Sequence, residues 1–326
     1  MLPYILFCLI GFLLLYYGAE WLVKGSSSLA KSLGVTPVVI GLTVVAFGTS
    51  APELVVSLIS SIQGKSMIAV GNVVGSNICN ISLILGLAAL FHPITSHRHV
   101  VRRDIPIMLG ISLYLLLISL DSTLGRIEGA TLFGGIIAYT FFNYYMAVKE
   151  APFELEESAG EYESELEEIG YVSSKPKQVA LILVGIIGVV AGAQIVVESA
   201  IKIMTILGVN EKFIGLTIVA FGTSLPELAT SVVAALRKEM DISIGNLVGS
   251  NVFNILGVLG AASLVRPIPV PGGFFESGLI YDYLVMLFTS FLPWFFMRKS
   301  LTVTRGSGFI LLFFYVGYIF YLIIRI

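Results

Sequence analysis

The stretch GLTVVAFGTSAPEL at residues 41–54 returns as GLTIVAFGTSLPEL at residues 215–228. After a short polar turn, each copy is followed by a second repeated element, GNVVGSNICN at 71–80 and GNLVGSNVFN at 245–254. The offset is 174 residues throughout, and 25 of the 51 positions are identical when 36–86 is aligned with 210–260. The chain therefore contains an internal duplication, and each copy places a glutamate within apolar sequence.

The composition is that of a membrane protein. Of the 326 residues, 56% are hydrophobic and 12% are charged, and the mean hydropathy is +0.95. Soluble proteins carry about twice as much charge, so we expect an all-α polytopic membrane protein embedded in a lipid bilayer. The net charge of −2 and the lack of a basic cluster argue against nucleic-acid binding. Cys8 and Cys79 show neither a disulfide framework nor metal-ligand spacing.

The apolar segments predict ten transmembrane spans, because a bilayer core of about 30 Å needs roughly 20 apolar residues per helix. The fourth span is short, whereas the second and seventh are long and are interrupted by Gly-Thr-Ser-x-Pro, which predicts broken helices. The spans are predicted at 2–23, 36–62, 66–91, 105–120, 127–148, 178–203, 211–236, 242–265, 279–297 and 307–324.

One hydrophilic segment divides the chain into two five-helix halves, 1–148 and 178–326. This segment, 149–177, contains nine glutamates between Glu150 and Glu168 and indicates a solvated linker, with an acidic regulatory cation site as the alternative. Because five is odd, the two halves cross the membrane in opposite senses. Inverted-topology repeats with interrupted helices are the usual architecture of secondary transporters.

Loop charges predict the orientation, because Lys and Arg accumulate on the cytoplasmic side. The loops after the odd-numbered spans hold 13 of the 19 basic residues. We therefore expect the linker 149–177 in the cytoplasm, both termini outside, and the protein in the plasma membrane.

The repeated Gly-Thr-Ser-x-Pro-Glu element predicts oxygen ligands at the middle of a span. Pro52 and Pro226 cannot bond the carbonyls of Gly48 and Gly222, so each helix is expected to open there. Freed carbonyls inside a bilayer need protein or water to satisfy them. Hydroxyl groups beside them are supplied by Thr49, Ser50, Thr223 and Ser224.

The two glutamates of the repeats, Glu53 and Glu227, are the strongest functional signal. An ionised glutamate at a helix centre costs at least about 2.5 to 3.5 kcal/mol, and no Lys or Arg occurs in either copy of the 14-residue stretch or of the second repeated element. The carboxylates must hold a proton or pair with a cation from solution. A hard cation suits this site, because carboxylates, hydroxyls, amides and carbonyls are all oxygen donors.

The second repeated element predicts the remaining walls of this site. Ser76 and Asn80 are four residues apart and share a helix face, as do Ser250 and Asn254. Each copy also has two glycines four residues apart, Gly71 with Gly75 and Gly245 with Gly249. Such small-x-x-x-small pairs permit close approach of membrane helices. Small polar residues are also common in membrane helix interfaces, so a packing role is the alternative for each neutral residue.

These motifs resemble the cation/calcium exchanger superfamily and, within it, the prokaryotic sodium/calcium exchangers. The resemblance spans both repeats and the ten-helix layout, and it implies that ions bind between the repeats. It implies that the glutamates bind Ca²⁺ in competition with Na⁺ and that hydroxyls and carbonyls build flanking Na⁺ sites. The implied ligands are Ala46, Thr49, Ser50, Glu53, Ser76 and Asn80, together with Ala220, Thr223, Ser224, Glu227, Ser250 and Asn254.

The chain departs from that resemblance at Asn254, where a number of sodium/calcium exchangers, including potassium-dependent ones, have an aspartate. Two site carboxylates remain, and their charge of −2 balances one Ca²⁺ or two Na⁺. A third Na⁺ would leave the occupied site with a net positive charge.

The expected function is secondary active exchange of Na⁺ for Ca²⁺ by alternating access, with Ca²⁺ extruded by the Na⁺ gradient. A proton/calcium antiporter of the same fold is the main alternative; its branch resembles Gly-Asn-Ala-x-Glu rather than Gly-Thr-Ser-x-Pro-Glu. A passive cation channel is the second alternative, although its pore would need a continuous polar lining. We expect no enzyme activity, because the sequence shows no nucleophile–base set or metal triad, and the lack of an ATP-binding motif argues against a primary pump. No cofactor and no obligate protein partner are expected.

Overall fold

The computed structural model describes residues 1–157, 171–208 and 220–325, which are mostly helical. We number the helices in chain order. They are α1 Leu2–Leu33, α2 Pro37–Thr49, α3 Ala51–Ile62, α4 Ser66–Phe91, α5 Ile105–Ile118, α6 Arg126–Glu157, α7 Lys175–Ile206, α8 Ala220–Gly222, α9 Leu225–Leu236, α10 Met240–Val265, α11 Leu279–Ser300 and α12 Arg305–Arg325.

The helices are of the membrane-spanning type. Within the described residues, six helices are long and apolar enough to cross a bilayer, namely α1, α4, α7, α10, α11 and α12. The bent pair α2 and α3 makes a seventh. Helix α5 has 14 residues, but the π-helical turn Val100–Asp104 leads directly into it. The helical segment 100–118 therefore begins five residues before the predicted start at 105, and the prediction of a short fourth span is not confirmed.

Two observed helices run nine or ten residues past their predicted ends. Helix α1 extends ten residues beyond the predicted end at Val23, to Leu33, and is capped by Gly34, whose φ of 67° suits glycine. Its last turns contain Ser26, Ser27 and Ser28, where a loop was expected. These serines are buried, so this part of the helix packs against the rest of the protein. Helix α6 runs to Glu157, into the segment predicted as linker. The predicted start of the seventh span, 211–219, and the linker residues 158–170 lie outside the described residues.

The predicted break in the second span is present. Helices α2 and α3 meet at 46°, and Ser50 between them has φ −83° and ψ 10°. The backbone at Ser224 is similar, with φ −88° and ψ 6°, between α8 and α9. The bends therefore fall two residues after Gly48 and Gly222, whose carbonyls the prolines leave without a helical donor.

Glycines bring α1 and α7 into close contact. A Cβ atom on Gly18 would lie 2.7 Å from the backbone nitrogen of Val189, and one on Gly185 would lie 2.6 Å from that of Leu22. Any larger residue would push the helices apart, so this pair depends on small residues, as membrane helix pairs commonly do.

The repeated glycines of α4 and α10 behave differently from each other. A Cβ on Gly249 would lie 2.5 Å from the carbonyl oxygen of Leu42, so α10 packs closely on α2 as predicted. Gly71 and Gly75 have no heavy atom within 4 Å of a Cβ position anywhere in the described chain. Close approach at those two positions, predicted from the sequence pattern, is not observed.

Two short antiparallel sheets join the halves of the chain. Strand β1 (Ile94–Thr95) pairs with β4 (Thr302–Val303), and β2 (Thr123–Leu124) pairs with β3 (Ile268–Pro269). The 174-residue offset maps β1 onto β3. Side chains make further contacts between the halves, and these join Glu20 of α1 to Arg237, His97 to Asp241 of α10, and Arg266 to the carbonyl of Ile62 at the end of α3.

Candidate ion-binding site

The two glutamates of the repeats occupy equivalent, fully buried positions. Glu53 lies in the first turn of α3 and Glu227 in the first turn of α9, directly after the two helix breaks. Both are 0% exposed. A carboxylate is favoured at a helix N-terminus because the unpaired N–H groups there carry partial positive charge. The broken helix thus places each charge where the backbone stabilises it.

Each glutamate accepts a hydrogen bond from the other half of the chain. The hydroxyl of Ser50 donates to Oε1 of Glu227 at 2.8 Å, and that of Ser224 donates to Oε1 of Glu53 at 3.3 Å. Because each serine lies at a helix break, the contacts bring both breaks and both carboxylates into one cluster.

The second repeated element adds groups to this cluster from α4 and α10. Ser76 of α4 donates to Oε1 of Glu53 at 3.4 Å, and its hydroxyl oxygen lies 3.2 Å from that of Ser224. Asn80 and Asn254 lie in π-helical turns, Cys79–Leu85 and Asn254–Leu259, and both are fully buried. Single π-helical turns occur often at functional sites.

The two threonines contact asparagines across the repeats. Thr49 lies 3.1 Å from Oδ1 of Asn246, and Thr223 lies 3.3 Å from Oδ1 of Asn72. Thr49 and Asn246 are buried, whereas Thr223 and Asn72 are partly exposed. The cluster is therefore closed on the Thr49 side and more accessible on the Thr223 side.

Several oxygen atoms of the cluster are buried without a hydrogen-bond partner in the described chain. They are Oε2 of Glu53, Oε2 of Glu227, Oδ1 of Asn80, Oδ1 of Asn254 and Oγ of Ser250. Buried polar atoms are normally paired, so a concentration of unpaired oxygens indicates a missing ligand. Since all five are oxygens and two belong to carboxylates, the fitting ligand is a hard cation such as Ca²⁺ or Na⁺.

A profile of the family described as "Sodium/calcium exchanger protein" matches residues 3–145 and 177–324. The chain belongs to this family. It is 37% identical over 322 residues to the putative antiporter CaxA of Alkalimonas amylolytica, covering 98% of each chain. It is 33% identical to the sodium/calcium exchanger MaX1 of Methanosarcina acetivorans, covering 96% of this chain and 97% of that one.

The fold of this exchanger is also similar to a solved one. A structure of the sodium-calcium exchanger NCX_Mj superposes with a TM-score of 0.81 at 31% identity, over 97% of each chain. The family membership inferred from the two repeated motifs is thus confirmed, and the chain is a cation/Ca²⁺ exchanger. The relatives named for an activity are exchangers and antiporters rather than enzymes.

Two of the twelve predicted ligands of the exchanger are placed differently from the rest. The carbonyl of Ala46 accepts the backbone N–H of Ser50 at 3.0 Å, as in an ordinary helix, and its oxygen also lies 3.4 Å from the hydroxyl of Thr49. Ala220 begins α8, but its side chain lies outside the part that the structure describes. The other ten side chains are arranged as described above.

The sequence interpretation assigned no role to several polar residues that the exchanger places around the cluster. Ser57 and Ser231 accept the amides of Asn72 and Asn246 at 2.9 Å and 3.0 Å. Asn77 accepts a hydrogen bond from Asn254, and Asn251 accepts one from Asn80. The signal that could have found the last two is their position: each repeats at the 174-residue offset, three residues before a predicted ligand.

Proposed function

We propose that the protein exchanges Na⁺ for Ca²⁺ across the plasma membrane by alternating access, extruding Ca²⁺ at the expense of the Na⁺ gradient. The observation that carries the proposal is the buried pair of Glu53 and Glu227, each hydrogen-bonded by the other half and each with an unpaired Oε2. The names of MaX1 and NCX_Mj support sodium as the counter-ion. Ca²⁺ and Na⁺ are substrates here, and the site requires no further cofactor.

The charge of the site limits what it can hold. Glu53 and Glu227 contribute −2, and the remaining groups of the cluster are neutral hydroxyls and amides. One Ca²⁺ or two Na⁺ therefore neutralise the site, so Ca²⁺ and Na⁺ compete for the same carboxylates. The proposed ligands are the twelve residues given by the family resemblance, with hydroxyls and carbonyls completing the Na⁺ sites.

The proposed topology has ten spans in two inverted five-helix repeats, 1–148 and 178–326. Contacts between loops support it. The β1/β4 sheet joins two loops that follow odd-numbered spans, and the His97–Asp241 contact joins one such loop to the first turn of α10, which follows another. The β2/β3 sheet and the contact of Arg266 with Ile62 join loops that follow even-numbered spans. Ten alternating crossings put each group on one side of the membrane.

The proposed orientation follows from the basic residues. The 13 Lys and Arg residues after odd-numbered spans put those loops, including the linker 149–177, in the cytoplasm. Both termini are then outside. Under this orientation the partly exposed pair Thr223 and Asn72 lies on the outer side of the cluster, because α4 begins there.

The test is ion flux in proteoliposomes. An outward Na⁺ gradient should drive ⁴⁵Ca²⁺ uptake, whereas K⁺ and H⁺ gradients of equal size should not. Uptake driven equally by a proton gradient with Na⁺ absent would replace the sodium proposal with the proton/calcium alternative. Ca²⁺ uptake that needs no Na⁺, K⁺ or H⁺ gradient would indicate a passive channel.

A further inference from the structure

Four asparagine side chains form a buried cluster where α4 meets α10. Asn80 and Asn254 belong to the candidate ion-binding site, whereas Asn77 and Asn251 have so far been given no role. All four are at most 1% exposed. The 174-residue offset relates Asn77 to Asn251 and Asn80 to Asn254, so the cluster has the symmetry of the duplication. We refer to these residues as the four-asparagine cluster.

The orientations of Asn77 and Asn251 are fixed by the main chain of the opposite helix. Nδ2 of Asn77 donates to the backbone oxygen of Asn251 at 3.1 Å, and Nδ2 of Asn251 donates to that of Asn77 at 3.3 Å. A backbone carbonyl can only accept. The amino end of each amide must therefore face the opposite main chain, and its Oδ1 must face away from it.

Those two Oδ1 atoms in turn fix the site asparagines. Nδ2 of Asn254 donates to Oδ1 of Asn77 at 3.0 Å, and Nδ2 of Asn80 donates to Oδ1 of Asn251 at 3.0 Å. Since a carboxamide is planar, holding its amino end on one side turns its oxygen to the other. The Oδ1 atoms of Asn80 and Asn254 are the ones that remain unpaired in the described chain.

We propose that Asn77 and Asn251 are positioning residues for ion exchange, acting through Asn254 and Asn80 respectively. Each holds one site amide with its oxygen, rather than its amino group, towards the cation. This inference rests on the proposed function, in which a cation binds beside Glu53 and Glu227. An amide released from its partner can rotate by 180° and present N–H groups to the ion, which repels a cation instead of coordinating it.

The test is Ca²⁺ binding to the purified full-length protein in detergent, measured by calorimetry alongside ⁴⁵Ca²⁺ flux. Loss of one buried hydrogen bond costs about 1.4 kcal/mol, which is tenfold in binding. We therefore expect Asn77→Ala to raise the Ca²⁺ concentration at half-saturation about tenfold while the maximal flux falls less than twofold. Asn143→Ala is the matched control, because Asn143 is an equally buried asparagine whose amide donates within its own helix to Tyr139.

A double-mutant comparison separates positioning from helix packing. If Asn77 acts through Asn254, Asn77→Ala changes half-saturation less than about twofold in an Asn254→Ala background, yet keeps its tenfold effect with Asn80→Ala. Asn251→Ala should show the mirror pattern, dependent on Asn80. Equal effects in both backgrounds would overturn the proposal. So would loss of thermal stability with unchanged half-saturation, or failure of both Asn77→Ala and Asn251→Ala to give folded protein.

Glu53→Gln, measured in parallel, distinguishes failure of the ion site from failure of the positioning role. If Glu53→Gln binds Ca²⁺ as the unmodified protein does, the proposed ion site itself is wrong. If Glu53→Gln loses binding while Asn77→Ala and Asn251→Ala do not alter it, the ion site stands and only the positioning role fails.

Discussion

Ser50 donates a hydrogen bond to Glu227, 177 residues further along the chain, with 2.8 Å between Oγ and Oε1. Ser224 makes the equivalent contact to Glu53 at 3.3 Å. Each half of the duplication therefore stabilises the carboxylate of the other half, and Glu53 also accepts a hydrogen bond from Ser76 of its own half. A site built in this way responds to any relative movement of the halves, because such a movement changes the ligands of both carboxylates at once.

Removing the Ser50 hydroxyl should weaken Ca²⁺ binding. Hydrogen bonds to charged groups contribute about 1.5 to 3 kcal/mol, so Ser50→Ala is expected to raise the half-saturating Ca²⁺ concentration at least tenfold. Ser50→Thr keeps a hydroxyl and should be affected less. Ser290→Ala is the control, since Ser290 is fully buried and its Oγ has no partner in the described chain. A flux assay giving equal effects for Ser50→Ala and Ser290→Ala would contradict the cross-half contact.

Neutralising either glutamate should abolish exchange. Glu53→Gln or Glu227→Gln leaves one carboxylate to balance a divalent ion. Removing one partner of a buried pair of opposite charges, here a carboxylate and its cation, costs about 3 to 5 kcal/mol. Exchange should fall more than a hundredfold. Glu198→Gln is the matched control, because Glu198 lies on α7 and accepts from Gln194 at an exposed position. Gradient-driven ⁴⁵Ca²⁺ uptake near the unmodified level in either site variant would refute the central role of the pair.

The sequence predicted the parts of the site that depend on local chemistry. Proline chemistry placed the helix breaks within two residues of Ser50 and Ser224, and the buried acids were found because Glu53 and Glu227 interrupt apolar sequence. Family membership followed from the same motifs. These features depend on residues within one turn of each other, so a single stretch of sequence contains the required information.

Features that depend on contacts between distant helices were not predicted. Nothing in the spacing of Ser50 within its own repeat shows that its partner is Glu227. Buried Ser27 in α1 donates a hydrogen bond to Glu239 in the turn between α9 and α10. Ser27 lies beyond the predicted end of the first span, where we expected a loop. The π-helical turn at Asn80 was missed for a similar reason, since no local residue pattern distinguishes it from an α-helix.

Restoring an acid at position 254 should change ion preference while retaining transport. Asn254→Asp increases the carboxylate charge from −2 to −3, which three Na⁺ or one Ca²⁺ with one Na⁺ would balance. A carboxylate also cannot donate to Oδ1 of Asn77 as the amide does at 3.0 Å. We expect a steeper dependence of Ca²⁺ uptake on Na⁺ concentration than in the unmodified protein. An identical Na⁺ dependence would show that the charge at this position does not enter the ion balance.

The close contact of α1 with α7 should not tolerate a side chain. In Gly18→Ala the new Cβ would meet the backbone of Val189 at 2.7 Å, and overpacking of this kind typically costs about 1 to 3 kcal/mol. The melting temperature in detergent should fall. Gly134→Ala is the control, because a Cβ there meets no heavy atom within 4 Å in the described chain and alanine favours a helix by about 1 kcal/mol. Equal melting temperatures for both variants would mean that the two helices separate without cost.

The proposed orientation can be tested with single cysteines in exposed loops. Lys65 follows α3 and Lys299 lies at the end of α11, and both are exposed. In a chain with Cys8 and Cys79 replaced by serine, a membrane-impermeant thiol reagent should label Lys65→Cys on intact cells and leave Lys299→Cys unlabelled. Permeabilised cells provide the control, since both positions should then react. The reverse pattern on intact cells would invert the protein in the membrane and move the acidic linker outside, while labelling of both would contradict the ten alternating spans.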